Sequence, residues 1–536
     1  MRIEKRDGLA RAGTIGDLKT PALVDLREKI DLQVELKPPE YVEKLDKELY
    51  EKFHFDGEVK TLVLHGLSER ERVERIISFR KVSYSPLYLP GVATPQNAIV
   101  YVYLGADVLD NLLALRYAYD GIYFTPERNF RLESLKSLPC SCKFCRDAGN
   151  FKEMDKYERF EFLANHNTEV LKREVELARN LIFSEELRDV VEARSKIVPE
   201  TEVMLRFADR EYEVFEKQTP VFRKSKLYPT TDSSFRRVEV RRFFERVERI
   251  YSPRSKVALL IPCSAKKPYM LSKTHRRLRD KLGSALRGVN EIIISSPFVA
   301  PRELELIYPI AFYDTPTTGE WSEEEIEFVA QKLSKLLPRF EKVYAHVHGG
   351  YRKVVERASQ LSGVDATFVD DLNELRRLLE NEEKVDFDLY SEMLRHMSLY
   401  QFGVELHAKA RGKYPELRFY RNGLACRVDT NYGMIDLYFD FALELFERKV
   451  YTVRIDDFDP KGTIFAAGVL EADERIRPND IVVFYNDTLL GVAQAVMSGR
   501  EMEVCDQGVA AVVRRKFELP PDVSSREGDD HSKKAD

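Results

Sequence analysis

Three of the chain's six cysteines fall in one hexapeptide, Cys140-Ser141-Cys142-Lys143-Phe144-Cys145, and His166 follows in the next helical stretch. Three thiolates from a tight loop and one imidazole from a helix can close a tetrahedral zinc site. Such a site pins a turn to a helix before any packing is considered. Four protein ligands leave no position for water, so the expected zinc is structural rather than catalytic. The bland alternative is three unrelated cysteines, which the spacing disfavours. Clustering of this kind also excludes a secreted disulfide framework.

At 536 residues the length suggests three to four domains, and 43% hydrophobic content supplies several cores. No apolar run approaches the ~20 residues of a bilayer span, and the start, Met1-Arg2-Ile3-Glu4-Lys5-Arg6, lacks the apolar core of a secretory signal. A soluble cytoplasmic protein without membrane attachment is expected. The net charge of −5 gives no global nucleic-acid signature.

The pattern predicts a multidomain α/β chain. Residues 1–200 mix β-rich runs (61–64 and 98–103) with helices and end in a long charged helix over about 155–196. Residues 201–384 form an α/β core whose strands, 257–261, 292–294 and 343–347, alternate with helices and so predict a mostly parallel sheet. Residues 385–449 make a small α+β domain opening on a helix over 390–403. Residues 450–519 read as a compact β-barrel, and 520–536 as a disordered tail.

The densest chemistry follows the strand at 257–261: Pro262-Cys263-Ser264-Ala265-Lys266-Lys267-Pro268-Tyr269-Met270-Leu271-Ser272-Lys273-Thr274-His275. Loops at the carboxyl ends of strands are where open α/β sheets bind ligands. Between Ser252 and Asn290 ten Lys/Arg face one acid, Asp280, a patch suited to phosphates in which Lys266 and Arg276 are candidate substrate contacts. On chemistry alone Cys263 is equally a nucleophile or a buried structural thiol beside a solvated basic helix. Downstream, Ser295 follows a strand. Asp314 either receives an amino group or caps the helix near Ser322, although Ser322-Glu323-Glu324-Glu325 offers its own capping box. His346 and His348, two apart on one strand face, read as structural.

Residues 104–166 resemble the zinc-binding end of the tRNA-guanine transglycosylase barrel, where the same C-x-C-x-x-C precedes a helix bearing His-Asn, here His166-Asn167. The resemblance implies an aspartate nucleophile upstream, and Asp110 falls near its place. Only 109 residues precede it, too few for most strands of a full barrel of about 250 residues. The implied fold is a partial TIM barrel with transglycosylation lost. P-C-x-x-x-K-P-Y-x-x-S-x-x-H, matched at Pro262, Cys263, Lys267, Pro268, Tyr269, Ser272 and His275, resembles the signature that separates archaeosine synthases from true transglycosylases. That resemblance implies action on tRNA carrying 7-cyano-7-deazaguanine (preQ0) at position 15 of the D-loop. An amine from free lysine or glutamine adds to the nitrile, and with lysine a radical-SAM partner then cleaves the adduct. Cys263 would form a thioimidate, activated by Lys266, Lys267 and His275. His275 would shuttle protons, while Tyr269 and Ser272 orient the developing imine nitrogen. Direct addition, with Cys263 only packing, is the competing mechanism.

Residues 462–517 resemble a PUA domain, which implies RNA binding with Arg514, Arg515 and Lys516 at the end of the final strand. A β-barrel without RNA is the alternative. Residues 385–449 resemble the domain preceding PUA in archaeal transglycosylases, and 409–421 carry five cations against Glu416. Base exchange through Asp110 and a non-catalytic tRNA-binding subunit remain the alternative functions. The oligomeric state, a homo-oligomer included, is left open by the sequence.

Overall fold

The computed structural model describes residues 1–29, 59–316 and 319–519. They divide into two units. The first comprises Met1–Pro220 with Phe465–Ala467 and Val496–Ala510; the second comprises Val221–Ile464, Gly468–Ala495 and the chain from Ala511.

The first unit begins with an antiparallel meander, β1 (Arg2–Asp7), β2 (Ala10–Ile15) and β3 (Leu18–Thr20). Four short parallel strands follow, β4 (Ala22–Val24), β5 (Lys60–Thr61), β6 (Leu87–Leu89) and β7 (Val108–Asp110), in the order β4-β7-β6-β5. This is the half-barrel that the resemblance at 104–166, with so short a segment before it, implied. Every residue of β6 and β7 is buried, as parallel strands covered on both faces require. Beside β7, the buried Asp107 carboxylate takes two bonds from Arg11 (2.8 Å each), one from Arg80 (2.8 Å) and one from the Leu87 N–H (2.7 Å). Burial pushes its pKa up, but the guanidinium groups outweigh burial and hold it below the usual carboxylate value.

Three expectations for this unit are corrected. The run 98–103 is a helix, Ala98–Tyr103, buried on all sides; an unbroken apolar run has no period that separates strand from helix. At 61–64 the strand stops at Thr61. The long helix starts where expected, with Asp155 and Glu158 forming a reciprocal capping box, but it runs only over Lys156–Ser184. Glu185 adopts a left-handed conformation (φ 62°) and ends it, and a separate helix covers Leu187–Ser195. Between β7 and the long helix lies the hairpin β8 (Ile122–Phe124) and β9 (Asn129–Arg131).

In the second unit, β10 (Val257–Pro262), β11 (Asn290–Ile294), β12 (Val299–Pro301), β13 (Lys342–Ala345) and β14 (Thr367–Phe368) form a sheet in the order β12-β11-β10-β13-β14, parallel except for β12. From the central β10 the chain crosses through helix Lys273–Leu282 to β11 on one side and later returns to β13 on the other. The direction of connection therefore reverses between β10 and β13, which opens a crevice at their carboxyl ends. Because β13 stops at Ala345, His346 and His348 lie beyond the strand rather than on its face. His346 bonds the Val369 carbonyl through Nδ1 (2.9 Å), and the exposed His348 stands 3.5 Å from Asp370. Helix Gly349–Ser362 starts immediately afterwards.

Helix Leu389–Phe402, capped by Asp388, opens the next segment, followed by the antiparallel strands β15 (Lys409–Arg411), β16 (Arg418–Tyr420), β17 (Leu424–Asp429) and β18 (Met434–Leu437) and helix Phe439–Glu447. Six strands complete the described chain: β19 (Thr452–Ile455), β20 (Thr463–Phe465), β21 (Val469–Ala472), β22 (Ile481–Tyr485), β23 (Leu489–Ala495) and β24 (Val509–Glu518), in the order β20-β24-β23-β22-β19-β21. The tail at 520–536 lies outside the described residues. Among the described residues no helix is long and apolar enough to cross a membrane.

Candidate functional site

Cys140, Cys142, Cys145 and His166 bring one ligand atom each to within 4.8 Å of one another. Cys142 caps helix Lys143–Asp147, its sulfur accepting from the Cys145 N–H (3.4 Å), while the Cys142 N–H donates to the Cys140 sulfur (3.4 Å). His166 donates through Nε2 to the Phe124 carbonyl (2.9 Å), so Nδ1 faces the sulfurs of Cys145 (3.3 Å) and Cys142 (3.5 Å). Tyr123 stacks on the imidazole at 3.8 Å and places its hydroxyl 3.2 Å from the Cys145 sulfur. Burial lowers His166 to about 4, the neutral form a ligand needs. Burial also raises Cys142, and Cys145 to about 12, so these two thiols need a cation to ionise together. The donor set, with one imidazole nitrogen oriented by a backbone carbonyl, fits a metal ion.

Asp110, at the carboxyl end of β7, is buried. Its Oδ2 accepts from the Tyr88 hydroxyl (2.7 Å) and the Gly91 N–H (2.9 Å), and its Oδ1 from the Leu112 N–H (2.8 Å). Both oxygens are engaged inside the protein.

Cys263 continues β10 by one residue, its N–H donating to the Ile294 carbonyl (2.9 Å). The thiol is half-buried at the carboxyl end of β10, and its sulfur lies 3.2 Å from the hydroxyl of Tyr351 in the first turn of helix Gly349–Ser362. Tyr351 meets Trp321 edge-on at 5.0 Å. Trp321 fills the space over Gly350, where a Cβ would stand 2.4 Å from the indole. The Lys267 ammonium stands 4.0 Å above the Tyr313 ring. Burial lowers the pKa of Lys267, while the Cys263 charge pulls it back up. Tyr269 hydrogen-bonds to the Tyr313 hydroxyl, which donates to Ser295, all three being buried. Burial, and then Tyr313 and Cys263 for Tyr269 and Cys263 for Tyr313, hold these phenols well above their ordinary pKa, so they stay neutral. A thiol surrounded by one ammonium and neutral phenols can attack an electrophilic carbon and supply protons to the atom that gains charge.

Three expectations for this motif change. Ser272 caps helix Lys273–Leu282 and accepts the His275 N–H (3.1 Å), so its hydroxyl shapes the loop. His275 is 3% exposed; its Nδ1 accepts from Arg302 (2.8 Å), its ring bonds the Pro262 backbone, and burial together with the Arg302 charge lowers it to about 3. A neutral ring with both nitrogens engaged is a poor proton shuttle and adds no cation beside Cys263. It clamps the loop instead. Arg302 is held by Glu291 (2.8 Å) and Glu305 (3.0 Å), and Glu305 accepts the Met270 N–H (2.9 Å). Burial would raise Glu291, but Arg302 and Arg279 outweigh it and bring the carboxyl to about 2.

Lys266 is exposed. Arg276 turns back to bond the Leu271 carbonyl (2.8 Å). Asp314 is exposed 3.8 Å from Lys226 and caps no helix; Ser322 and Glu325 cap Glu323–Ser334. The cations expected to meet RNA are engaged within the chain. Arg514 bonds Asp429 (3.0 Å), Asp436 (3.2 Å) and Gln494 (3.0 Å), Arg515 grips Asp436 with two bonds of 2.8 Å, and Lys516 bonds Asp459 (2.5 Å). A separate basic groove is lined by His407, Lys409, Arg411, Tyr420 and Arg421. Sequence reasoning missed Tyr351 and Trp321; the one signal was the Gly349-Gly350 pair directly after a strand.

Among known families, residues 41–200 match queuine tRNA-ribosyltransferase, 240–379 a domain of unknown function, 387–446 a pre-PUA domain and 460–517 the PUA domain. The chain is 36% identical to archaeosine synthase subunit alpha of Methanosarcina acetivorans, covering 81% of this chain and 75% of the relative. It is 33% identical to archaeosine synthase of Haloferax volcanii (80% and 76%), and 27% identical to tRNA-guanine(15) transglycosylase of Methanothermobacter thermautotrophicus (80% and 66%). A crystal structure of a protein of unknown function is 47% identical, covering 52% of this chain and 99% of that one with a TM-score of 0.46.

Proposed function

The chain belongs to the archaeosine synthase family, and on that premise we propose that it adds an amine to the nitrile of preQ0 at position 15 of the tRNA D-loop. The observation that carries this reading is the half-buried Cys263 thiol at the crevice of the parallel sheet, 3.2 Å from a phenol and close to the Lys267 ammonium. The thiolate attacks the nitrile carbon to give a thioimidate, and the amine then displaces the sulfur to leave an amidine-type product. Free lysine, or a nitrogen derived from glutamine, is the amine. With lysine, cleavage of the adduct falls to a radical-SAM partner, in keeping with relatives named as alpha subunits.

Ser295, Tyr269 and Lys267 line the reacting thiol's surroundings, and Ser272 and His275 hold the loop that presents it. The Cys140, Cys142, Cys145 and His166 cluster holds a structural zinc, which ties the cysteine loop to the long helix when bound. The engaged oxygens of Asp110 favour this reading over base exchange. Residues 1–200 serve as a transglycosylase-like scaffold, 201–384 carry the chemistry, and 385–449 with 450–519 contact tRNA. The basic groove of Lys409, Arg411 and Arg421 takes over the role expected of Arg514 and Arg515. The setting is the cytoplasm.

Incubation of preQ0-containing tRNA with the purified chain and each amino acid, read by mass spectrometry, tests the reading. A mass gain with lysine or glutamine that Cys263→Ala abolishes is expected. No gain with any amino acid, or incorporation of labelled guanine instead, overturns it.

A further inference from the structure

The geometry points to Tyr351 as the proton carrier of the Cys263 site, a role that rests on the nitrile reading for its substrate and on the crevice alone for its pairing with the thiol. Tyr351 Oη is 3.2 Å from Cys263 Sγ. Among the described residues, that is the one hydrogen bond its hydroxyl makes, and the ring is half-buried where the crevice opens. The other candidates are otherwise occupied. Tyr269 and Tyr313 are fully buried and spend their hydroxyls on each other and on Ser295. His275 has both ring nitrogens engaged. The Lys267 ammonium rests over the Tyr313 ring.

Tyr351 is also held in place. It follows the glycine pair that starts its helix, and Trp321 braces its ring at 5.0 Å through the space that Gly350 leaves free. Burial, and then the charge and hydrogen bond of Cys263, raise the phenol above its ordinary pKa. The phenol therefore keeps its proton and remains a donor. Lys267, Tyr269 and Tyr313 are the other titratable groups that face the sulfur, with Asp314 and Lys226 acting on Lys267.

The step balances without an outside reagent. Cys263 sulfur bonds to the nitrile carbon, and a C–N π pair moves to nitrogen, which takes the proton of Tyr351 Oη. A thioimidate and a phenolate result. The incoming amine then bonds to the same carbon and gives one proton to the phenolate. The C–S bond breaks with its electron pair returning to sulfur. Thiolate and phenol are restored, and the product is an amidine. An oxygen already in hydrogen-bond reach of the sulfur is within reach of a nitrogen two bonds from that sulfur, the geometry proton transfer needs.

Tyr351→Phe in the full chain tests the assignment through two readouts. The first is the single-turnover rate on preQ0-containing tRNA with the accepted amine. The second is the pH dependence of iodoacetamide labelling at Cys263, followed on its own peptide so that the other five cysteines do not interfere. A fall of ~100-fold or more in rate is expected, with tRNA affinity unchanged and labelling of Cys263 moved to higher pH. Emission from Trp321, the single tryptophan, should stay as in the parent chain, since the ring remains. A rate within threefold of the parent overturns the assignment, and a lost rate with unaltered labelling overturns the pairing with Cys263. Altered labelling in Tyr351→Phe beside a fully active Cys263→Ala would instead remove the thioimidate step and leave the thiol–phenol pair standing, whereas no mass gain with any amine in the parent chain would remove the nitrile reading.

Discussion

Asp480, in the turn before β22, is a fully buried carboxyl whose Oδ2 accepts the Arg477 N–H (2.8 Å) while Oδ1 has no hydrogen-bond partner among the described residues. Burial raises it from 3.8 to about 7 against the pull of Arg246, Arg242 and Arg477. A carboxyl whose folded pKa lies above its unfolded one favours the folded state fully below pH 3.8, and that advantage is lost as pH rises to 7. Asp480→Asn keeps the acceptor and removes the charge. Its stability gain in denaturant titrations should widen between about pH 4 and 7, reach a few kcal/mol, and stay constant above. A gain that shrinks over that range would show the carboxylate to be better satisfied than its burial implies. At this scale the sequence was legible where chemistry is local: three cysteines within six residues announced their site. Tyr351 was not, because it meets Cys263 across 88 residues of chain and only the glycine pair before it marks its place. His275 stands in the motif, but its burial and then its partner Arg302 decide that it stays neutral.

Elements show the same divide. Strands β10 and β11 could be read from short apolar runs because parallel strands are buried on both faces. The run 98–103 looks the same yet folds as a helix, since the pattern records burial and not backbone. Glu185 breaks the expected helix with a left-handed turn that usually falls to glycine. Arg514 and Arg515 read as free cations because their partners, Asp429 and Asp436, lie in a different segment. The cysteine cluster joins two elements, the short helix Lys143–Asp147 and the long helix Lys156–Ser184. The purified chain is therefore expected to carry one metal ion per molecule, with zinc found by elemental analysis. Its removal by a chelator, or His166→Ala, should lower Tm by roughly 5–10 °C and expose the amides of the cysteine loop to hydrogen exchange. A metal-free chain of full stability would contradict this.

For the whole molecule, the multidomain α/β organisation was legible from length and pattern and its partial barrel from the resemblance at 104–166, but the membership of the first unit was not. It includes Val496–Ala510, and the buried Arg6 bonds Glu501 through both guanidinium nitrogens that face it. Ending the chain at residue 449 leaves Arg6 buried without that carboxylate, a loss of about 3–5 kcal/mol for a broken buried pair. Limited proteolysis should then cut within residues 1–220 faster than in the full chain, alongside any loss of tRNA affinity. Equal protection in both would overturn this membership.

The same arrangement bears on biosynthesis. A nascent chain that has cleared residue 220 still lacks a piece of its first unit until residue 510 has been made, 290 residues later. At ~5–20 residues per second, that interval is roughly 15–60 s. During it the ribosome-bound N-terminal half displays an unmatched arginine and a docking surface open to chaperones.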